Sequence, residues 1–380
     1  MFNLAAYANM VADERRTGAY DNALRKAVRP NSVVLDLGCG PGILSLLACR
    51  AGARRVYAIE HGDAIELGRA LAHANGYADR IVFIQDFSTR VQLPEKVDVI
   101  VSDLRGVLPL YQHLIPSIVD ARRRFLAPGG VLLPQEDALW FAPVTAPEIS
   151  QRLRRGWEHN HYGLVLDAGL RHATNMWRKE RVRREQCLAG PQPWVTLDYR
   201  TIESPNVSRE ATWTAAADGI GHGFALWFDS VLFDDVRFTS APWEPELIYG
   251  SGFFPWSEPV PIQTGDSITI HLAADLVGDG YVFRWNTQVT DPGGRSKATF
   301  RQSTLFGAPL SPERLQRQSS AHTPVLDQDG EIDRTVLALM DGKNLLEEIA
   351  RRVASAFPQR FHTWQEALSR VSELSQKYGR

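Results

Sequence analysis

An apolar run, Val34-Leu35-Asp36-Leu37, breaks into a turn with glycine at alternate positions, Gly38, Gly40 and Gly42, and re-enters an apolar stretch from Ile43 to Leu46. This segment constrains the fold more than any other. Glycine lets backbone approach a ligand where a side chain would collide. A strand that feeds such a turn and then a helix opens a βαβ unit. A ligand is expected over the carboxyl end of that strand.

Two common nucleotide loops are excluded. The dinucleotide pattern needs a third glycine at position 43, which is Ile43, and the phosphate loop needs a terminal Gly-Lys-Ser/Thr, which is absent. S-adenosylmethionine has no phosphate, and its methionine end can lie against such a turn. The next apolar run, Arg55–Ile59, ends in Glu60, placed to accept both ribose hydroxyls as acids do in dinucleotide enzymes. A third run, Ile81–Gln85, ends in Asp86, a candidate acceptor from the adenine amino group, and a fourth, Val97–Ser102, ends in Asp103. Polar residues at four strand ends place one site along the carboxyl edge of a parallel sheet.

The 380 residues suffice for two or three domains. A net charge of −2 gives no general reason to expect nucleic acid. Cys39, Cys49 and Cys187 suggest neither a disulfide framework nor a metal site. The N-terminus lacks the basic lead-in of a signal peptide, and no apolar run reaches membrane-spanning length. These features predict a cytoplasmic protein with no metal, no nucleic acid and no membrane partner.

The patterning predicts an α/β class. A helix is expected over residues 10–29. A doubly wound, Rossmann-like domain is expected over 1–138, with an antiparallel β-barrel or sandwich over 139–307. Within the latter, strands are read at 138–144, 194–202, 223–233, 267–273 and 281–289, and most of the ten Trp residues lie there. A basic, helix-prone insertion at about 150–190 interrupts it. Interspersed acids and irregular aromatic spacing make it a weak nucleic-acid patch. Residues 308–324, rich in Pro, Ser and Gln, read as a linker. Three apolar stripes at helical spacing then suggest a helical or winged-helix-like module over 325–380.

Several segments resemble the protein arginine methyltransferases. They are Met10-x-x-Asp13-Glu14-x-Arg16-Thr17-x-x-Tyr20, the glycine turn from Val34 to Ser45, Val56–Glu60, Leu93–Ile100, and Gly223-Phe224-Ala225-Leu226-Trp227-Phe228-Asp229. The likeness runs from about residue 7 to 290. It implies S-adenosylmethionine as cofactor, held by Met10, Arg16, Asp36, Gly38, Cys39, Gly40, Gly42, Ile43, Glu60, His61, Asp86 and Phe87. Arg16 would pair with the cofactor carboxylate, a task suited to a guanidinium fork. The resemblance also implies a homodimer through an arm at 150–190. More faintly, 325–380 resembles the winged-helix peptide-recognition domains of peptide-modifying clusters, including that of pyrroloquinoline quinone biosynthesis, which add a peptide strand to a sheet edge.

The acceptor loop departs from the family pattern. The family holds its substrate guanidinium with two glutamates; here the matching positions are Asp103 and Gln112. The family's Thr-His-Trp matches Phe254-Pro255-Trp256, and Arg105 adds a positive charge beside the loop. The chain before Met10 is short, so a reduced N-terminal lid is expected. A guanidinium stays protonated at ordinary pH, and one carboxylate plus an amide pairs with it poorly. The expectation is methyl transfer to a non-standard acceptor, a peptide, protein or small molecule. Asp103 would be the base or orienting group, Gln112 a hydrogen-bonding partner, and His113 a proton acceptor near neutral pH. The alternatives are arginine methylation using Asp103, or a catalytically silent binding protein.

Overall fold

The computed structural model describes residues 4–158 and 162–379. It divides into two compact units, Met1–Pro309 and Leu310–Arg380.

The first unit begins with α1 (Leu4–Ala12) and α2 (Glu14–Ala27). The single helix predicted over 10–29 is therefore two. Asp13 makes the break: its side chain accepts from the Arg16 backbone N–H and caps α2. Strand and helix then alternate through β1 (Val33–Leu37), α3 (Ile43–Arg50), β2 (Arg55–Ile59), α4 (Ala64–Ala74), β3 (Ile81–Ile84), β4 (Val97–Ser102), α5 (Leu114–Arg124) and β5 (Leu126–Leu133). The five strands are parallel in the order β3-β2-β1-β4-β5. The order reverses between β1 and β4, which opens a crevice at their carboxyl ends. β1 is buried along its whole length, as a strand covered on both faces must be. Tyr20 and Leu24 of α2, Leu44 and Ala48 of α3 and Ile65 of α4 cover one face. Leu114, Ile115 and Ile118 of α5 cover the other.

The antiparallel part follows with β6 (Glu136–Val144), α6 (Pro147–Glu158), α7 (Asp167–Thr174), β7 (Arg178–Lys179), β8 (Gln192–Asp198), β9 (Val207–Thr214), β10 (Gly219–Phe233), β11 (Val236–Thr239), β12 (Gly252–Ile262), β13 (Ser267–Val277), β14 (Gly280–Thr290) and β15 (Ser296–Ser303), and closes with α8 (Thr304–Gly307). One sheet runs β7-β12-β10-β6-β8 with β11 on β10, and the other runs β15-β14-β13-β9. Several tryptophans here fill the interior while their indoles find carbonyl partners. Trp194 Nε1 donates to Leu272 O at 3.1 Å and Trp285 Nε1 to Pro255 O at 3.1 Å. The apolar residues of α5 and of both antiparallel sheets form one cluster. That continuity is why the predicted boundary at 138 lies inside a single compact unit.

The predicted arm corresponds to α6, α7 and β7, with residues 159–161 outside the described residues. In the second unit, the stretch expected to be a linker carries α9 (Pro312–Arg317), capped by the Ser311 side chain. It continues with α10 (Gln328–Leu339), α11 (Leu346–Ala356) and α12 (Trp364–Tyr378) around Ile332, Val336, Ile349, Val353 and Val371. The described residues of this unit contain no strand. The helical part of the reading is the one observed, without a wing. Among the described residues, no helix is long and apolar enough to cross a membrane.

Gly223 allows the close pairing of β10 with β12 where their register shifts between Gly221 and Gly223. Its φ is +155°, and a Cβ there would lie 2.1 Å from Phe254 O. Gly223→Ala should destabilise the first unit by about 1–3 kcal/mol, read as a lower denaturation midpoint; an unchanged midpoint would show that the strands separate freely.

Candidate functional site

The glycine turn lies over the carboxyl end of β1 with all three glycines left-handed, at φ +73°, +51° and +75° for Gly38, Gly40 and Gly42. Side-chain-bearing residues pay steric energy in that region. The turn is tied to the end of β2, because Gly38 N and Cys39 N both donate to Ile59 O at 2.9 Å. Glu60 continues this link: its carboxylate accepts from Gly40 N at 3.1 Å and from Gly62 N at 2.8 Å. Two backbone donors thus orient a carboxylate at the edge of the crevice. Gly42 passes the chain into α3, with Ile43 as its first residue.

Tyr7 of α1 stands directly over this turn. A Cβ on Gly40 would meet the Tyr7 ring at 2.8 Å. α1 thus reaches the glycine turn. Burial, then the nearby Glu60, pushes the Tyr7 phenol above its usual range.

Asp36 is buried on β1 beneath the turn. Ser45 Oγ donates to its Oδ2 at 2.6 Å, while Oδ1 is buried without a hydrogen-bond partner. Burial pushes the carboxyl up to about 7. His61 and Phe87 stack on each other at 4.9 Å across the ends of β2 and β3, and both are exposed. Asp86 accepts from Phe87 N at 2.7 Å. The buried Cys39 thiol is raised by burial, which makes it an inert filler of the turn.

A second constellation sits beside this one, at the carboxyl end of β4. Arg16 of α2 is buried and grips Asp103: Nε donates to Oδ2 at 2.7 Å, and Nη2 pairs with the same oxygen. The remaining nitrogen, Nη1, donates to the Met10 carbonyl at 3.2 Å. Burial opposes the Arg16 charge, but Asp103 outweighs it and holds the guanidinium above its usual range. Tyr249, on the loop between β11 and β12, donates to Asp103 through its hydroxyl, 2.7 and 2.8 Å from the two carboxylate oxygens. Tyr20 donates to Ser102 O at 3.1 Å, and its ring lies 5.5 Å beneath the Arg16 guanidinium.

Arg105 does not project as a free charge beside the loop. It is buried, with Nε 2.9 Å from Asp137 Oδ2 on β6, Nη2 donating to Ser230 Oγ on β10 at 3.0 Å, and Nη1 3.7 Å from Asp103. Asp137 also accepts from the Tyr199 hydroxyl at 2.6 Å. Four charges in alternation, Arg16, Asp103, Arg105 and Asp137, therefore span from α2 into the barrel.

The structure brings Met10, Arg16 and Asp103 together, and separately Asp36, Gly40 and Glu60. It does not join Gln112 or His113 to Asp103. Gln112 is exposed at the entry to α5, with φ +43°. His113 is exposed and its Nε2 lies 3.1 Å from Asp279 on the β13–β14 turn. Phe254, Pro255 and Trp256 lie within β12, with Phe254 and Trp256 in the barrel core. The residue this region contributes to the site is Tyr249, a few residues earlier. Tyr7 and Tyr249 were not singled out from sequence: one lies in an Ala-rich helix and the other in a Pro- and Gly-rich loop, and neither breaks a periodic pattern.

A parallel sheet in this order, with a glycine turn after β1 and an acid after β2, defines a class I methyltransferase fold. The model of the ribosomal protein L11 methyltransferase (PrmA) family matches residues 20–135. The chain is 31% identical over 236 residues to the probable protein arginine N-methyltransferase 6 of Arabidopsis thaliana, covering 60% of this chain and 54% of that protein. It is 32% identical over 284 residues to human protein arginine N-methyltransferase 2, covering 70% of this chain and 65% of the relative. The matched stretch thus spans less than two thirds of either relative. Among solved structures, Arabidopsis thaliana protein arginine methyltransferase 10, described as a uniquely open conformation, superposes with a TM-score of 0.71 at 25% identity, covering 79% of this chain and 97% of that one. The Trypanosoma brucei PRMT1 enzyme–prozyme heterotetrameric complex with AdoHcy gives 0.72 at 24% identity, covering 79% and 98%. The chain is a homologue of the protein arginine methyltransferases and shares their fold.

The Asp36 carboxyl carries a pH signature. Its native pKa lies above that of the unfolded chain, so the native state binds its proton more tightly. Stability falls as pH rises from about 4 towards 7, where the buried group is made to ionise. Asp36→Asn should flatten this slope in denaturant titrations across that window; an unaltered slope would mean that Asp36 ionises freely in the native state.

Proposed function

We propose that this protein is an S-adenosylmethionine-dependent methyltransferase whose acceptor is not a protonated guanidinium. The residues present fit the cofactor. Gly40 offers bare backbone under Tyr7, Glu60 presents an oriented carboxylate for two ribose hydroxyls, and Asp36 retains a buried oxygen without a partner. Arg16 has its nitrogens on Asp103 and the Met10 carbonyl, so its pairing with the cofactor's carboxylate belongs to the second reading below, in which Asp103 is released. His61, Asp86 and Phe87 would border the adenine. When bound, the cofactor supplies an electrophilic methyl group on a sulfonium.

The single observation that carries the acceptor assignment is the condition of Asp103. Its carboxylate is enclosed by Arg16 and the Tyr249 hydroxyl, with Arg105 at 3.7 Å. Arg105 is in turn balanced by Asp137. Two cations and two carboxylates leave no excess negative charge. Desolvating a guanidinium beside such a cluster costs several kcal/mol. A neutral nitrogen or oxygen acceptor incurs no such penalty. Asp103 then acts indirectly, holding Arg16 and Tyr249 at fixed places beside the acceptor; such alignment is worth up to about 7–11 kcal/mol in well-oriented reactions. The names of the relatives favour arginine methylation as the second reading, with Asp103 released from Arg16 on cofactor binding.

We also propose that the arm supports dimerisation, since Trp157, Tyr162, Leu164 and Val165 are exposed there. The second unit has its own core, and we assign it to acceptor recognition.

Calorimetry with S-adenosylhomocysteine tests the cofactor assignment. Saturable binding that Glu60→Ala weakens at least tenfold is expected; no binding by folded protein would reject it. A labelled-methyl assay across arginine-rich peptides and neutral amide, hydroxyl and amine acceptors separates the two readings. Methyl transfer to the arginine peptides would overturn the neutral-acceptor assignment.

A further inference from the structure

Arg105 brings a guanidinium to the crevice from within the chain. It lies two residues after Asp103, and the intervening Leu104 packs on the glycine turn, where a Cβ on Gly38 would overlap it. The Arg105 side chain is 1% exposed. A guanidinium at that depth needs a carboxylate for its charge, acceptors in its plane and flat rings over its faces. All three are present. Asp137 Oδ2 lies 2.9 Å from Nε, Ser230 Oγ accepts from Nη2 at 3.0 Å, and Asp103 Oδ1 lies 3.7 Å from Nη1. The ring centroids of Phe228 and Phe238 are each 5.4 Å from the guanidinium carbon, and that of Tyr249 is 5.8 Å away. Contacts between a cation and aromatic faces strengthen when water is excluded.

These partners hold one another without help from Arg105. Phe238 and Tyr249 stack at 5.7 Å and 12°, and Phe228 meets them edge-on at 6.1 and 5.4 Å. Asp137 accepts from the Tyr199 hydroxyl, and Asp103 from Tyr249 and Arg16. The side chains are set on β6, β10 and β11 and on the loops after β4 and β11. Truncating Arg105 would therefore leave a carboxylate, a hydroxyl and three rings in place around the space it vacates. An ammonium suits that space less well. Its compact, strongly hydrated charge has no planar fork for Asp137 and Ser230 and no flat face for the rings.

We propose that Asp137, Ser230, Phe228, Phe238 and Tyr249 form a guanidinium-binding cage that Arg105 fills in cis, and that Arg105 is thereby the specificity-determining residue that keeps a cationic acceptor out of the crevice. The specificity half rests on the neutral-acceptor methyltransferase reading above; the cage stands without it. Arg105 takes up both the place and the carboxylate that an incoming guanidinium would use. With it, Arg16 and Arg105 balance Asp103 and Asp137. Without it, one guanidinium faces two carboxylates, and the excess negative charge attracts a cation instead of opposing it.

The test uses the full chain with Arg105→Ala and supplies the removed fragment as ethylguanidinium chloride. Thermal unfolding is followed against its concentration, with ethylammonium chloride at equal ionic strength and the unsubstituted protein as controls. The variant should melt lower than the unsubstituted protein. Millimolar ethylguanidinium should raise its Tm saturably, as a ligand of the native state does. The fitted affinity should exceed that for ethylammonium by about tenfold or more, and the unsubstituted protein should not respond. No saturable response, or an equal response to ethylammonium, would overturn the cage. If Arg105→Ala does not fold alone, it is refolded with each salt: recovery with ethylguanidinium only supports the cage, and recovery with neither or with both overturns it. Binding of a labelled arginine-rich peptide, followed by anisotropy with S-adenosylhomocysteine present, tests the specificity half. Arg105→Ala, kept in solution without ethylguanidinium or, if it needs the salt to fold, transferred out of it immediately before the measurement, should bind the peptide about tenfold more tightly than the unsubstituted protein; equal binding would overturn that half. Methyl transfer from the unsubstituted protein to the peptide would reject the neutral-acceptor reading and the specificity half together, while the ethylguanidinium titration still decides the cage.

Discussion

The buried run of alternating charges from Arg16 through Asp103 and Arg105 to Asp137 is the constraint on which the rest of the first unit depends. Each of these groups is too costly to bury alone. Arg16 comes from α2, Asp103 and Arg105 from the loop after β4, Asp137 from β6 at the start of the barrel. Tyr249 and Ser230 close the run from two further barrel segments. Removing one member would leave a charge stranded. The parallel sheet and the barrel are therefore fixed to one another by electrostatics as well as by their shared apolar cluster.

In the function proposed above, the same run limits what the crevice can accept. A carboxylate already enclosed by a guanidinium and a phenol is a poor partner for a second cation. Its value lies in geometry: it holds Arg16 and Tyr249 at fixed places beside the glycine turn. The cofactor half of the crevice works differently. Its polar groups, Glu60 and the free oxygen of Asp36, are oriented by backbone and by Ser45, and retain capacity for a ligand.

Much of this was legible from sequence because it is local. The glycine turn, the acid after β2 and the strand-helix alternation depend on residues close in the chain, and the sheet formed as read. The break at Asp13 was missed because the apolar spacing continues across it, while a capping carboxylate interrupts the backbone. The role of Arg105 was misread for a different reason. Its neutralising partner, Asp137, lies beyond β5 and meets it only once the barrel packs against the sheet. Tyr249 was invisible for the same reason, since a loop tyrosine carries no pattern that marks a contact with residue 103. His113 looked catalytic because it follows Gln112, yet the turn into α5 carries both to the surface.

The account stands most directly on the coupling between Arg16 and Asp103. A double-mutant cycle with Arg16→Gln and Asp103→Asn, read by chemical denaturation, measures it. Each single variant strands a buried charge, so the double variant should be less destabilised than the two losses added together. The coupling should exceed about 1 kcal/mol, within the range of contacting pairs. Additive losses would contradict the account, because they would mean that Asp103 is available to a substrate rather than committed to Arg16.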